Sequence, residues 1–232
     1  MHGVTFGRAS EPDGSLSTVS AEFAYARVAS AEHRRRFGQF FTPPSLAALM
    51  ADWVMAVEPQ AVLDPAFGTG MLIAACTAKN SSTFFTAYEA DPLVMSHARQ
   101  FDCRLDLRQA DFLATPITEK YDGIVMNPPY IRHREIRGYE SERRDISGKA
   151  RCVIPKSANL YIYFAVKSLT LLRSGGRAAL LIPAEWMSAN FAASFKVYLI
   201  NERLLRQAVL FSNCSNVFDD ALTTASVLLC ER

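Results

Sequence analysis

The four residues Asn127-Pro128-Pro129-Tyr130 combine side chains that could act on an amino group of a planar molecule. They follow a short apolar run, residues 123–126, that is typical of a buried strand. Two consecutive prolines end a strand and hold the chain extended, which leaves the Asn127 amide and the backbone carbonyls available as acceptors. Acceptors on the hydrogens of a conjugated amino group raise the electron density on its nitrogen during attack on an electrophile. The alternative is an ordinary strand-ending turn.

A second candidate site lies upstream, where an apolar strand leads into the turn Asp64-Pro65-Ala66-Phe67-Gly68-Thr69-Gly70 and then a helical run. Gly68 and Gly70 permit close approach of a ligand to the backbone, and the helix start offers unpaired N–H groups. The three-glycine dinucleotide fingerprint and the P-loop lysine are both missing, so a nicotinamide or nucleoside triphosphate has little support. Asp64 at the strand end favours a cationic or amino-bearing ligand.

Acidic residues also end the next two predicted strands. Glu89-Ala90 follows an apolar run at residues 84–88, and a carboxylate there is placed to accept hydrogen bonds from ribose hydroxyls. Asp111 and Phe112 end the following strand, and this pair could bond an adenine amino group and cover its ring. Each acid alone could instead be a helix cap or a solvated loop charge. Together they fall at the carboxyl ends of successive strands, where open α/β sheets bind their ligands.

The order of these motifs resembles the catalytic domain of S-adenosylmethionine-dependent DNA adenine N6-methyltransferases, TaqI-like or Eco57I-like, in which the motif for the cofactor carboxylate comes first. That first motif is residues 37–44, and the resemblance extends to about residue 229. It implies an α/β, Rossmann-like class I methyltransferase fold. The sheet would be mostly parallel and seven-stranded, with an antiparallel C-terminal strand and helices on both faces.

By the same resemblance, the cofactor is S-adenosylmethionine. Phe41 and Thr42 would bind its carboxylate, the glycine turn would wrap its methionine part, and Glu89 would hold the ribose. Asp111 would read the adenine amino group, with Phe112 against the ring. The implied cofactor residues are Phe41, Thr42, Asp64, Pro65, Ala66, Gly68, Gly70, Glu89, Ala90, Asp111, Phe112 and Asn127.

The resemblance also implies how the target base is held. The Asn127 side chain and the Pro128 carbonyl would accept hydrogen bonds from the amino group of an extruded adenine, and Tyr130 would stack on the base. Phe218 occupies the position of a further aromatic against that base, although the acidic pair Asp219-Asp220 follows it and a plain core role stays open. The implied catalytic residues are Asn127, Pro128, Pro129, Tyr130 and Phe218.

A basic segment follows the catalytic loop. Residues 131–157 contain eight Lys or Arg against four Asp or Glu, which favours a surface that grips phosphates, whereas the net charge of +2 by itself says little. The alternative is a solvated polar insertion. We expect the segment to be mobile without substrate. The predicted DNA-binding residues are Arg132, Arg134, Arg137, Arg143, Arg144 and Lys149.

Composition favours one domain. Hydrophobic residues make up 50% of the 232 residues, enough for one well-packed domain but short for an additional reader domain. We expect a catalytic domain at residues 31–232 after a tail or loosely docked arm at residues 1–30, with no target-recognition domain. Scattered cysteines and isolated histidines predict reduced thiols and no metal. No signal peptide or spanning segment is evident, so we expect no membrane contact and a cytoplasmic location.

Three other functions stay open. A protein glutamine N5-methyltransferase shares the glycine turn and the Asn-Pro-Pro-Tyr sequence, but the motif at residues 37–44 and the basic segment favour the DNA enzymes. RNA adenine methylation would use the same pocket. The third possibility is a non-catalytic or partner-dependent subunit, because few residues follow the last predicted strand. We therefore expect cofactor binding but weak or unselective DNA methylation unless a partner subunit or a missing C-terminal region supplies recognition.

Overall fold

The predicted apolar strands form one seven-stranded sheet in the computed structural model, which describes residues 14–98, 101–211 and 224–232. The strands are β1 (Ala61–Asp64), β2 (Phe84–Glu89), β3 (Arg104–Gln109), β4 (Tyr121–Met126), β5 (Leu172–Pro183), β6 (Leu205–Phe211) and β7 (Ala225–Glu231). Their order is β3-β2-β1-β4-β5-β7-β6, and β7 runs antiparallel to both of its neighbours. The remaining neighbours pair in parallel. The predicted mostly parallel sheet with an antiparallel C-terminal strand is confirmed.

Helices cover both faces of this sheet. They are α1 (Gly14–Val28), α2 (Ala31–Phe37), α3 (Pro44–Met55), α4 (Met71–Thr77), α5 (Pro92–His97), α6 (Glu140–Ala150), α7 (Leu160–Leu171) and α8 (Ala193–Asn201). Successive strand side chains point to opposite faces, so Val62 and Val125 pack with α3 and α4, whereas Leu63, Ile124 and Met126 pack with α7. This alternation buries one strand layer between two helical layers.

The strand order reverses next to β1, which pairs with β2 on one side and with β4 on the other. Chain connections leave the sheet in opposite directions at such a point, and a cleft forms outside the carboxyl ends of the strands. The turn after β1, the residues after β2 and the loop after β4 all reach this cleft. The topology therefore brings together the motifs that the sequence places at strand ends.

Part of the arm expected at residues 1–30 is described by the structure, namely residues 14–30. Residues 14–28 form α1, which packs against α4 and α5, and Tyr25 is fully buried. The Tyr25 hydroxyl donates to Asp91 Oδ2 at 3.1 Å, and the same carboxylate oxygen accepts from His33 Nε2 at 2.7 Å and Gln39 Nε2 at 2.8 Å. The apolar residues of α1 lack a helical period, so no amphipathic pattern in the sequence predicts that α1 docks on the domain.

The basic segment has more regular structure than its composition indicates. A short 3-10 turn, His133–Glu135, precedes α6, and Arg151 caps the C-terminus of α6 in the left-handed conformation. Ile146 and Ala150 are buried, so one side of α6 packs on the domain. The mobility of this segment in the absence of substrate stays a prediction.

Two structural features are absent from the described ranges 14–98, 101–211 and 224–232. Across these ranges, no helix has both the length and the apolar character that crossing a membrane requires. The same ranges hold no group of three or more His, Cys, Asp or Glu side chains placed to bind a metal ion. Free thiols are found at Cys76, Cys103, Cys152 and Cys230.

Candidate active site

Two cavities lie on either side of the loop that follows β4. The first has a volume of about 270 Å³, and Asn127, Pro128 and Pro129 line part of its wall. The second has a volume of about 490 Å³, and Tyr130 lines part of its wall. Residues 38–40 and Ile131 line both cavities. The Asn-Pro-Pro-Tyr loop is therefore part of the wall between two compartments, which suits transfer of a group from one bound molecule to another.

The first cavity collects nearly all of the residues predicted to bind the cofactor. Its walls include Phe41, Thr42, Pro65, Ala66, Gly68, Glu89, Ala90, Asp111, Phe112 and Asn127. Asp64 and Gly70 do not line it. Gly70 is the N-cap residue of α4 with φ of 93°, and an added Cβ would lie 2.6 Å from the rings of Phe67 and Phe101. Gly70 therefore shapes the turn instead of forming the cavity wall.

Asn127 is held by its amide nitrogen. Nδ2 donates to the backbone carbonyl of Phe40 at 2.7 Å and to Thr42 Oγ1 at 3.0 Å. The carbonyl oxygen Oδ1 is buried and has no hydrogen-bond partner among the described residues. A buried acceptor without a partner is costly, so this oxygen is suited to receive a donor from a bound molecule.

Gly38 joins the residue 37–44 motif to the same loop. Its carbonyl accepts a hydrogen bond from the Tyr130 backbone N–H at 2.9 Å. Its φ is +60°, and an added Cβ would lie 2.7 Å from the Tyr130 nitrogen and 2.8 Å from Ile131 Cγ1. Only glycine allows this close approach, so the first motif and the catalytic loop form one connected unit.

Two buried carboxyls lie at the ends of β1 and β2. Glu89 accepts hydrogen bonds from the N–H groups of Gly68 and Asp91, each at 2.8 Å, and burial raises its pKa against the effect of these bonds. Asp64 is fully buried, accepts from the Ala66 N–H at 3.1 Å, and leaves Oδ2 without a partner among the described residues. Burial raises the pKa of Asp64 to about 7. Glu89 faces the first cavity, whereas Asp64 lies behind its wall.

Tyr139 connects the basic segment to the first cavity, a role that no motif in the sequence predicts. Its hydroxyl donates to Asp111 Oδ2 at 2.5 Å, and its side chain lines the cavity. The other carboxylate oxygen of Asp111 accepts from the Leu113 N–H at 2.8 Å. Each oxygen can accept one more hydrogen bond, so Asp111 keeps the capacity to bind an amino group.

Lys167 of α7 holds the backbone around Phe112 in place, and no motif in the sequence predicts this role. Its Nζ donates to the carbonyls of Phe112 at 2.6 Å, Leu113 at 2.9 Å and Thr115 at 2.8 Å. The ammonium lies 4.8 Å from the centre of the Phe112 ring, a favourable cation–π distance. Burial, with a smaller contribution from Lys149, lowers the pKa of Lys167 to about 8. The Phe112 side of the cavity is therefore rigid.

Aromatic side chains dominate one wall of the second cavity. The Tyr130 ring packs on Phe40 with centroids 5.1 Å apart, and its hydroxyl donates to the Leu181 carbonyl at 3.2 Å. Another part of the wall is polar, since Asn159 Nδ2 donates to Glu185 Oε1 at 2.7 Å. A planar molecule with polar edges fits this combination of surfaces.

Most of the predicted DNA-binding residues are exposed on the surface of the domain. Exposed members are Arg132, Arg134, Arg137, Arg144 and Lys149. Arg132 lines the second cavity, and Lys149 pairs with Asp145 at 2.8 Å. Arg143 differs, because it is partly buried and donates to the Ile154 carbonyl at 2.8 Å. Its contact within the domain indicates a structural role.

Two further residues complete the assignment of the predicted site. Phe218, predicted to face the target base, lies outside the described residues. Glu22, which lies outside every predicted motif, lines the first cavity from α1 and accepts a hydrogen bond from Thr69 Oγ1 at 3.2 Å. No local pattern identifies Glu22, because the turn it contacts lies 47 positions further along the chain.

Known structures resemble this fold closely. DrdV bound to DNA superposes with a TM-score of 0.69 at 16% identity, over 94% of this chain and 29% of that chain. An O-methyltransferase from Bacillus cereus in complex with SAH superposes with a TM-score of 0.58 at 13% identity, over 94% and 91% of the two chains. At these identities the similarity establishes the fold alone, and that fold is the predicted class I methyltransferase fold.

Sequence comparison gives the family. The type II methyltransferase M.AccI of Acinetobacter calcoaceticus is 35% identical over 217 residues, which cover 91% of this chain but only 40% of that protein. The sequence profile of the Eco57I restriction-modification methylases matches residues 79–218, more than half of the chain. The chain therefore belongs to the Eco57I restriction-modification methylase family.

Proposed function

We propose that this chain transfers a methyl group from S-adenosylmethionine to the N6 amino group of an adenine extruded from duplex DNA. It would act as the catalytic part of a modification methyltransferase of a restriction-modification system. Family membership supports this reaction class, and the two cavities beside the Asn-Pro-Pro-Tyr loop would serve as separate compartments for methyl donor and base.

The proposal rests on how the Asn127 side-chain amide is hydrogen-bonded. Both hydrogens of Nδ2 are engaged by Phe40 and Thr42, which fixes the orientation of the amide, and Oδ1 remains a buried acceptor without a partner among the described residues. An adenine amino group has two hydrogens to donate. Oδ1 would accept one of them, and the Pro128 carbonyl would accept the other.

These acceptors act on the reactivity of the amino nitrogen. In free adenine its lone pair is delocalised into the ring, which makes it a poor nucleophile. Hydrogen bonds that strengthen as positive charge develops on the nitrogen stabilise the transition state more than the ground state. The rigid prolines keep the acceptors in place, so little reorganisation is required as the reaction proceeds.

The first cavity has the donor and acceptor groups that S-adenosylmethionine requires. When bound, the cofactor supplies a methyl group on a positively charged sulfur, and acidic side chains around it compensate that charge. Glu89 would accept from the ribose hydroxyls, Asp111 from the adenine amino group, and Phe112 would contact the ring. Thr42 would donate its hydroxyl proton to the methionine carboxylate while accepting from Asn127, so one residue would contact both halves of the site.

Tyr130 and the second cavity would receive the extruded base. Extrusion costs a few kcal/mol, which stacking and hydrogen bonds in the cavity offset. Tyr130 is held through its ring by Phe40 and through its hydroxyl by Leu181, so it would present a fixed aromatic surface to the base. Exposed arginines of the basic segment would contact phosphates next to the extruded nucleotide.

Target recognition is proposed to need further polypeptide. The chain spans about 40% of the length of M.AccI, so most of that protein has no counterpart in the matched residues. Base-edge readout needs an element that reaches a groove, and α6 with its preceding turn is the described candidate for limited contacts. We expect the 232-residue chain to methylate DNA with little sequence preference.

The test is labelled methyl transfer from S-adenosylmethionine to three acceptors: duplex DNA, structured RNA and a peptide release factor. Preferential labelling of DNA adenine by the wild-type chain, and loss of transfer in Asn127→Ala with cofactor affinity within about threefold, would support the proposal. Preferential labelling of RNA or of the protein would replace it with one of the alternative functions. Cofactor binding without transfer to any acceptor would favour a non-catalytic or partner-dependent subunit.

A further inference from the structure

The helix α1 places a carboxylate over the glycine turn that follows β1. Glu22 lines the first cavity, and its Oε1 accepts a hydrogen bond from the hydroxyl of Thr69, which is itself 2% exposed. One turn further along α1, the buried Tyr25 bonds to Asp91 and Gln39. The position of Glu22 is thus set by a network of contacts on the same side of the domain.

Glu22 has no cationic partner within the described part of the chain. Its side-chain contact among these residues is the hydrogen bond to Thr69. Burial raises the pKa of Glu22 to about 7, and the bond from Thr69 opposes the rise only in part. A partly buried carboxylate in a ligand cavity gains most from a bound cation, which would restore its ionised state.

We infer that Glu22 is a cofactor-binding residue whose carboxylate accepts hydrogen bonds from the α-ammonium group of the methionine part of the cofactor. This inference rests on the proposed function, since it assumes that S-adenosylmethionine or its product occupies the first cavity. It assigns to α1 a part of the binding site that the motifs from residue 37 onward do not include.

The location of Glu22 selects the ammonium group from among the groups of the cofactor. Glu22 contacts the turn at Thr69, which belongs to the segment proposed to surround the methionine part. Glu89 and Asp111, proposed for the ribose and the adenine, follow other strands. A fully charged ammonium has three N–H donors, and charge-assisted hydrogen bonds are the strongest that this cavity could form.

The cavity also offers an opposite charge for the other end of the amino acid. Arg36 of α2 lines the same cavity as Glu22. A zwitterion with an ammonium and a carboxylate matches one acidic and one basic side chain better than a neutral ligand would. Both charges come from the N-terminal helices, so these helices would contribute specifically to binding the amino-acid part.

The binding of two ligands distinguishes a contact between Glu22 and the ammonium group from a general effect of Glu22 on the shape of the cavity. S-adenosylhomocysteine carries the ammonium group, whereas 5′-methylthioadenosine keeps the nucleoside and lacks the amino acid. Calorimetric titration of wild-type protein and Glu22→Gln with each ligand should show a loss of about 10- to 100-fold in affinity for S-adenosylhomocysteine. The affinity for 5′-methylthioadenosine should change by less than about twofold, which also shows that the variant is folded. Glu32→Gln, on the exposed side of α2, serves as the matched control and should leave both affinities unchanged.

Each contrary result has a distinct meaning. Unchanged affinity of Glu22→Gln for S-adenosylhomocysteine would overturn the inference while leaving the proposed function intact. Equal losses for both ligands would also overturn it, because they would show that Glu22 only shapes the cavity. Failure of the wild-type protein to bind either ligand would instead remove the proposed function on which the inference rests.

Discussion

The amide nitrogen of Asn127 donates a hydrogen bond to the hydroxyl oxygen of Thr42 at 3.0 Å, across 85 positions of sequence. This contact joins the loop after β4 to the segment that precedes α3. Because the second amide hydrogen goes to the Phe40 carbonyl, the two contacts together fix which way the Asn127 oxygen points. A residue proposed to bind the cofactor thereby orients a residue proposed to act on the target.

Removing the Thr42 hydroxyl should lower the methyl-transfer rate even at saturating cofactor. Thr42→Val keeps the shape but loses the acceptor for Asn127, a contact worth about 0.5–1.5 kcal/mol, so we expect a kcat reduced by about 2- to 10-fold. Single-turnover transfer at saturating S-adenosylmethionine is the measurement. Thr42→Ser retains the hydroxyl and is the matched control. Equal rates for the two variants would contradict the positioning role of Thr42.

A side chain at residue 38 should separate the first motif from the catalytic loop. In Gly38→Ala the new Cβ would lie 2.7 Å from the Tyr130 nitrogen, at a φ of +60°. The matched control is Gly138→Ala, where φ is +80° and nothing lies within 4 Å of the added Cβ. Both variants carry backbone strain of about 1–2 kcal/mol, and overpacking should cost Gly38→Ala about 1–3 kcal/mol more.

Urea denaturation measures this difference in the free energy of unfolding. Gly38→Ala should also lose most of its transfer activity, because the catalytic loop must move to make room for the alanine side chain. If Gly38→Ala were as stable and as active as Gly138→Ala, the catalytic loop would tolerate being pushed away by a side chain at residue 38.

The buried carboxyl of Asp64 should make the stability of the ligand-free protein decrease with rising pH. Its pKa is about 3.8 in the unfolded chain and about 7 in the folded protein, so the folded state holds more protons between these values. Its contribution to stability is therefore greatest below pH ~4 and is lost as pH rises to about 7, by on the order of 4 kcal/mol. Asp64→Asn cannot ionise and should show a flatter profile.

Denaturant unfolding of the wild-type protein and Asp64→Asn at several values from about pH 4.5 to about pH 8 measures this effect. The difference between the two profiles is the relevant quantity, because Glu22 and Glu89 also have raised pKa values and contribute to both. Parallel profiles would show that Asp64 is already ionised in the folded state.

Exposed arginines of the basic segment should contribute to DNA affinity independently of sequence. Arg134→Ala removes an exposed charge next to the loop after β4, and it should reduce the slope of log affinity against log salt by about 1. Arg203 directly precedes the edge strand β6, at the end of the sheet opposite to the loop after β4, so Arg203→Ala is the matched control. Fluorescence anisotropy with duplex DNA at several salt concentrations gives both slopes. Equal slopes for wild type and Arg134→Ala would exclude a phosphate contact at Arg134.

Much of the candidate site could be predicted because it lies where strands end. Apolar runs predict the strands, and the residues after them must meet at one edge when the strands are parallel. This reasoning predicts that Glu89, Asp111 and Asn127 share one region, and the structure shows all three on the wall of one cavity. Boundaries were less accurate, since β4 begins at Tyr121, two positions before the apolar run at residues 123–126 that predicts it.

The sequence by itself determined the sheet, the family and the main polar side chains of the cleft, because strand periodicity and short motifs are local properties of the chain. The tertiary structure decided the docking of α1 with Glu22, the contacts of Tyr139 and Lys167, and the orientation of the Asn127 amide. Each of these depends on groups brought together from segments distant in sequence. Such contacts have no period or spacing to reveal them, since only the packed fold determines which groups meet.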